Sequence, residues 1–321
     1  VARAGRWILL VALIAGPAAA LAGHGDRPAL YMQPMSFATT TPTEAQFLAG
    51  AGGGAATVGG ELRMPAAPGR LPAVVLVHGE TGVSPNVRQW ADTINGIGLG
   101  VMILDSFSGR GITETSTDQS RLAHAAMLVD AYRALAALAA HPRVDGRRIA
   151  VMGFSKGGWA ALYASVRRFQ RLHGPKGLEF ALSLAFYPPC TTSYREDEQV
   201  GAAPIRVVHG SADDWHPVEP CREYVGRLRK AGADAALVEL AGARHFFDLQ
   251  DLAPSLRLPG VQRSACRLEE RNDGVVNRAT GRPPTREECV QLGATIGHDA
   301  RASEEAQRRV KETLVAALGG R

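Results

Sequence analysis

The chain reads as an α/β protein built on one doubly wound, mostly parallel sheet. Three observations predict this. Apolar runs recur at 71–77, 99–104, 148–152, 181–186, 205–209 and 236–240, and most do not alternate with polar residues, as expected of strands buried on both faces. Segments with helical spacing stand between them, the order of a layered α/β fold. Several runs also end in glycine-bordered loops that hold His, Ser or Asp.

Taken in order, residues 23–56 read as a flexible N-terminal lead-in, with a glycine-rich stretch over 50–60 running into the first strands of a single domain over 57–321. The strand over 71–77 enters the loop His78-Gly79-Glu80-Thr81-Gly82. The strand over 99–104 precedes a long alanine-rich helix over 119–140, stopped by His141-Pro142. Leu122, Ala125, Ala126, Val129, Tyr132 and Leu135 fall at helical spacing on it and read as a core stripe. The strand over 148–152 leads to Ser155 and a helix over 159–168, and helices over 218–231 and 303–318 complete the layers. Residues 251–300 form an insertion before the last helix, rich in Arg, Glu, Gly and Pro. Two roles are open to it: a wall or lid of the site, or a disulfide-stapled surface excursion.

The strongest chemical signal is Gly153-Phe154-Ser155-Lys156-Gly157-Gly158, set between a strand and a helix. A Gly-x-Ser-x-Gly turn of this kind carries a nucleophilic serine in a strained position, and the glycines two residues either side remove collisions with the neighbouring backbone. Free N–H groups at the start of the helix face the serine, where negative charge develops on an attacked carbonyl. By position, the backbone N–H groups of Lys156 and Glu80 are the two expected oxyanion donors. The strand over 205–209 is followed by Ser211-Ala212-Asp213-Asp214-Trp215-His216-Pro217, and the strand over 236–240 by a loop holding His245. Ser, Asp and His therefore arrive in the chain order of a serine hydrolase, Ser155 as nucleophile and His245 as base, with Asp213 or Asp214 as the acid. His78 and His209 also end strands and read as structural. Nothing in the spacing of the nine histidines and four cysteines indicates a zinc site, so no metal and no organic cofactor is expected.

On the elbow, the His-Gly-Glu-Thr-Gly-Val loop at 78–83 and the block Gly210 to Pro217, the chain resembles the dienelactone hydrolase family of α/β-hydrolases, over about 62–248 and again through the last helix. The resemblance implies the α/β-hydrolase fold and a small-molecule ester or lactone as substrate. The family's usual placement of the acid four residues before the proline selects Asp213 over Asp214. Its best-known members attack with cysteine, so the serine here is similar to the broader branch that hydrolyses assorted esters. Those members also place an arginine shortly after the histidine to hold a substrate carboxylate, whereas His245 is followed by Phe246, Phe247, Asp248 and Leu249. Arg110, after the strand over 99–104, is a candidate substrate contact or else a solvated loop residue. Phe154 and Trp215 are candidates for an apolar pocket wall or for packing beneath the loops. Two other functions use the same residues: a peptidase or acyltransferase with this triad, and a non-catalytic binding protein on the same scaffold.

Residues 1–22 read as a secretory signal peptide: Arg3 and Arg6, an apolar run too short for a bilayer span, and a small-x-small ending at Ala22. Export to a periplasm or beyond the cell follows, with no stable membrane insertion after cleavage. The four cysteines then read as disulfides. Of the three connectivities, Cys190–Cys221 with Cys266–Cys289 is favoured, because Cys190 and Cys221 each follow a predicted strand at one edge of the sheet. Cleavage leaves 299 of 321 residues, enough for one large core, and lowers the formal charge from +5 to +3 because residues 1–22 hold two arginines and no acid. That is too mild for a nucleic-acid partner.

Overall fold

The computed structural model describes residues 29–272 and 274–319, so the expected signal peptide lies outside the described residues. In chain order the elements are β1 (Leu30–Thr41), α1 (Glu44–Leu48), β2 (Gly54–Pro65), β3 (Leu71–Val77), α2 (Pro85–Gly96), β4 (Gly100–Asp105), α3 (His124–Ala140), β5 (Val144–Phe154), α4 (Lys156–Tyr163), α5 (Arg167–His173) and β6 (Leu182–Phe186). They continue with β7 (Thr192–Ser193), β8 (Ile205–Gly210), α6 (Glu219–Lys230), β9 (Ala235–Leu240), β10 (Leu256–Ser264), β11 (Leu268–Arg271), β12 (Gly274–Asn277), α7 (Arg286–Cys289), β13 (Val290–Ile296) and α8 (Ala300–Leu318).

The central sheet has the order β1-β2-β4-β3-β5-β6-β8-β9. The first two strands pair antiparallel with each other, and β2 is antiparallel to β4; from β4 to β9 every pairing is parallel. The unbroken apolar runs explain the middle of it. In β3, Ala73, Val75 and Val77 point into a core shared with α3, α4 and α6, while Val74 and Leu76 point into the opposite core beneath α2 and α8. Residues of both faces are buried, which is why these strands show no polar alternation.

The expected flexible lead-in is corrected from residue 30 onward. β1 and β2 form a twelve-residue antiparallel ladder running from Leu30 opposite Pro65 to Thr41 opposite Gly54. Thr43 caps α1 through a reciprocal capping box with Gln46. Gly59 and Gly60, read as flexible, serve close packing instead: a Cβ on Gly59 would sit 2.6 Å from the carbonyl oxygen of Met35, and one on Gly60 2.0 Å from that of Ile103, on the neighbouring strands. The helix expected over 119–140 is a 3-10 turn (Gln119–Arg121) followed by α3, and the one expected over 159–168 begins directly after Ser155 as α4 and breaks before α5.

Residues 251–300 hold four strands and a short helix. β10 and β13 make an antiparallel ribbon, and the β11–β12 hairpin extends onto β7. Val261, Ala294 and Ile296 of the ribbon form a small core with Trp215 and Phe246, residues of the two loops that carry Asp213 and His245. The insertion thus buttresses those loops rather than standing away from the body. The sulfurs of Cys190 and Cys221 lie 2.02 Å apart and those of Cys266 and Cys289 1.96 Å apart. The first pair ties α6 to the loop after β6, and the second closes the insertion. Among the described residues no helix is long and apolar enough to cross a membrane.

Candidate active site

Ser155 occupies the turn between β5 and α4 with φ 53° and ψ −116°, a left-handed conformation that costs a non-glycine residue free energy. The packing around it leaves no alternative. A Cβ on Gly153 would lie 1.9 Å from the carbonyl oxygen of Gly157, and one on Gly157 would lie 2.3 Å from that of His78. The N–H of Ser155 is held by the carbonyl of Phe186 at 2.9 Å, so β6 fixes the turn from the other side.

Three loops converge on the serine. Its Oγ lies 2.8 Å from Nε2 of His245, and Nδ1 of His245 lies 2.7 Å from Oδ2 of Asp213. The second carboxylate oxygen of Asp213 accepts the backbone N–H groups of Trp215 and His216, both at 2.9 Å. Burial pushes the Asp213 carboxyl up, but the charge and hydrogen bond of His245 outweigh it and hold the group below the usual range. Asp214 faces elsewhere: it accepts the N–H of Thr295 at 2.7 Å and anchors the insertion. His245 is itself fixed by its loop, whose carbonyl accepts the N–H of Gly297 at 3.0 Å. Tyr187, with φ 36°, packs its ring 4.4 Å from that of His245 and donates its hydroxyl to Asp248 at 2.8 Å. Asp248 also accepts from Asn86 and Trp90 of α2, which locks the histidine loop to the body.

The loop after β3 brings in a side chain where only a backbone donor was expected. Oε2 of Glu80 accepts the backbone N–H of Lys156 at 3.4 Å, and Oε1 lies 3.6 Å from Nε2 of His216. Burial would raise the Glu80 carboxyl, yet His216, Lys156 and Ser155 together hold it below the usual carboxylate range. The Lys156 ammonium is drawn down to about 8 by burial, opposed by Glu80 and Asp118, and Nζ donates to the carbonyl of Gln119 at 3.1 Å. No spacing in the sequence signals Glu80 and His216 as neighbours, because 136 positions separate them.

Ser155 and His245 are sealed from solvent, and Glu80 and His216 nearly so. A cavity of about 420 Å³ reaches His216, walled by His124, Trp159, Tyr194 and His216 from the body and by Arg263 and Arg286, among others, from the insertion. Residues of the insertion thus line this cavity. Three expected contacts are not on that wall. Arg110 lies within a buried ion pair with Asp130, because burying the guanidinium demands a carboxylate partner. Phe154 packs in the sheet core against Phe186 and Tyr187. Trp215 lies beneath the insertion, its indole N–H donating to the carbonyl of Gln262 at 3.0 Å. His78 bonds the carbonyl of Gly79 and accepts the backbone N–H of Ser106 in the loop after β4, and His209 bonds the carbonyl of Gly210.

The profile of the dienelactone hydrolase family matches residues 58–318. The chain belongs to the dienelactone hydrolase family. Its sheet order and flanking helices are those of the family's α/β-hydrolase fold, and like its relatives it is a hydrolase by family. Comparison with curated protein sequences finds no match. Among solved structures, it is similar to a dienelactone hydrolase-like promiscuous phosphotriesterase from metagenomic libraries, with 18% identity, a TM-score of 0.60, and coverage of 91% of this chain and 100% of that one. It is also similar to esterase 2 of Thermogutta terrifontis, solved phosphorylated by paraoxon, with 18% identity, a TM-score of 0.53, and coverage of 82% and 90%. At such identities the likeness carries the fold alone.

Proposed function

We propose that this family member is an exported serine hydrolase that cleaves carboxylic esters or lactones through an acyl-enzyme on Ser155. One observation carries the reading: the unbroken chain from Ser155 Oγ through His245 to Asp213, with hydrogen-bond separations of 2.8 and 2.7 Å, behind a serine held in a positive-φ turn. With Nδ1 bonded to the carboxylate, the His245 tautomer presents the Nε2 lone pair to the serine. His245 takes the Ser155 proton as Oγ attacks the carbonyl carbon, Asp213 stabilises the imidazolium, and the proton passes to the leaving alkoxide. Water then attacks the acyl-enzyme by the same route.

The oxyanion is assigned to the backbone N–H of Lys156, joined by that of Glu80, and one such donor is worth about 3 to 4 kcal/mol. In the resting arrangement the Glu80 carboxylate accepts the Lys156 N–H. A carbonyl oxygen can take that place only when the carboxylate swings away, so substrate entry and Glu80 displacement are one event. Two disulfides favour an oxidising compartment and fit the export reading. The reaction draws on protein groups alone, and the partner is a small molecule.

Hydrolysis of short-chain p-nitrophenyl esters by disulfide-intact protein, beside Ser155→Ala, tests the proposal. Activity should fall by at least about a thousandfold in the variant. Equal rates in both proteins, with Ser155 inert to a fluorophosphonate, would reject it in favour of a binding role.

A further inference from the structure

Glu80, His216 and His245 come from three different loops and meet beside Ser155. One ligand atom from each lies within 4.8 Å of the others, and all three residues are buried. Oε1 of Glu80 and Nε2 of His216 have no hydrogen-bond partner and stand 3.6 Å apart. Such orphaned buried polar atoms ask for an explanation. His245 is oriented through Nδ1 by Asp213 at 2.7 Å, which leaves Nε2 as the nitrogen with a free electron pair. A carboxylate behind an imidazole is the usual support of a zinc-ligating histidine. The same Asp213 holds the backbone N–H of His216 at 2.9 Å, so one carboxylate fixes both imidazole-bearing loops.

We propose that Glu80, His216 and His245 form a site for a divalent transition-metal ion of the zinc class, and that occupancy silences Ser155. Two imidazoles and a carboxylate suit zinc and its neighbours rather than calcium or magnesium, which take oxygen ligands. Tetrahedral zinc with bonds of about 2.0 to 2.1 Å sets its donor atoms roughly 3.3 Å apart, close to the Glu80–His216 separation. His245 joins by turning Nε2 from Ser155 Oγ to the ion, a small rotation because the two lie side by side. The electron pair that would accept the serine proton is then bound to metal. Binding follows from the ligand geometry; inhibition rests also on the proposed role of His245.

The test titrates chelator-treated, disulfide-intact protein with Co²⁺, read by its visible absorption, and with Zn²⁺, read by calorimetry. One ion per chain is expected in wild type and in Ser155→Ala, with binding at least about tenfold weaker in His216→Gln and in Glu80→Gln. Circular dichroism checks that both variants fold, and either one suffices. Zn²⁺ should slow p-nitrophenyl ester hydrolysis in proportion to its occupancy, with recovery on adding EDTA. Absence of stoichiometric binding, or equal affinity in wild type and both variants, overturns the site. Were Ser155 not the nucleophile, Co²⁺ would still bind as described, so the two readings fail separately.

Discussion

Arg110 and Asp130 meet in a two-bonded ion pair, Nη1 to Oδ2 at 2.7 Å and Nη2 to Oδ1 at 3.0 Å, with side-chain exposures of 6% and 0%. The same guanidinium donates to Thr41 Oγ1 and to the carbonyls of Thr40 and Ser106. It therefore pins the edge strand β1 and the loop after β4 onto α3. Arg110→Ala strands a buried carboxylate and should cost about 3 to 5 kcal/mol in urea unfolding. The KM for a p-nitrophenyl ester, measured on the folded variant at low temperature, should stay near wild type. A raised KM with full stability would return Arg110 to the substrate.

Asp213 and Asp214 are adjacent in sequence and opposite in use. Asp213→Asn leaves the His245 tautomer wrong for a base, and kcat should fall about 10⁴-fold with little change in folding. Asp214→Asn weakens the tie to Thr295 and the insertion. It should leave kcat within a few-fold and lower stability by about 1 kcal/mol. Steady-state kinetics and urea unfolding of the two variants would separate the roles, and the reverse pattern would exchange them.

The legible part of this chain was the part set by local backbone chemistry. The Gly153-x-Ser155-x-Gly157 turn is readable because Gly153 answers a collision with Gly157 within the same five residues, and the central strands because burial on both faces leaves unbroken apolar runs. Long-range choices were not legible. Gly59 and Gly60 resemble a flexible leader in sequence, and only the partner strands reveal that they sit in a ladder where side chains have no room. Arg110 resembles a ligand contact until Asp130 is seen beside it. Glu80 and His216 gain meaning from a 3.6 Å approach that no spacing encodes.

The disulfides divide the stability of the fold between body and insertion. Cys190–Cys221 spans 31 positions and Cys266–Cys289 spans 23, for which chain entropy gives about 3 to 4 kcal/mol each. Replacing either pair with serine should cost that much in urea unfolding. The functional cost should differ: the second pair closes the insertion that walls the cavity, so its loss should raise KM at permissive temperature, while loss of the first should act on stability. Identical KM values in both double variants would detach the insertion from substrate binding.

His124 gives the protein an acid sensitivity that can be isolated. Burial, reinforced by the charge of Lys156, draws its pKa from 6.5 to about 3. The folded state therefore keeps the imidazole neutral while the unfolded chain binds a proton below pH 6.5, and stability falls as pH drops from 6.5 toward 3. By pH 5 this group alone should remove about 2 kcal/mol. Glu80 and Asp213, whose carboxyls are held low, lose their contributions only as pH falls below ordinary carboxylate values, so they leave this window clear. The buried His78 and His209, also drawn down, titrate in the same direction and remain in both proteins under comparison. Urea midpoints of wild type and His124→Leu between pH 7 and pH 5 should diverge, with the variant losing less. Parallel curves would mean that His124 takes up its proton in the folded state, where a neighbour such as Glu80 would have to receive it.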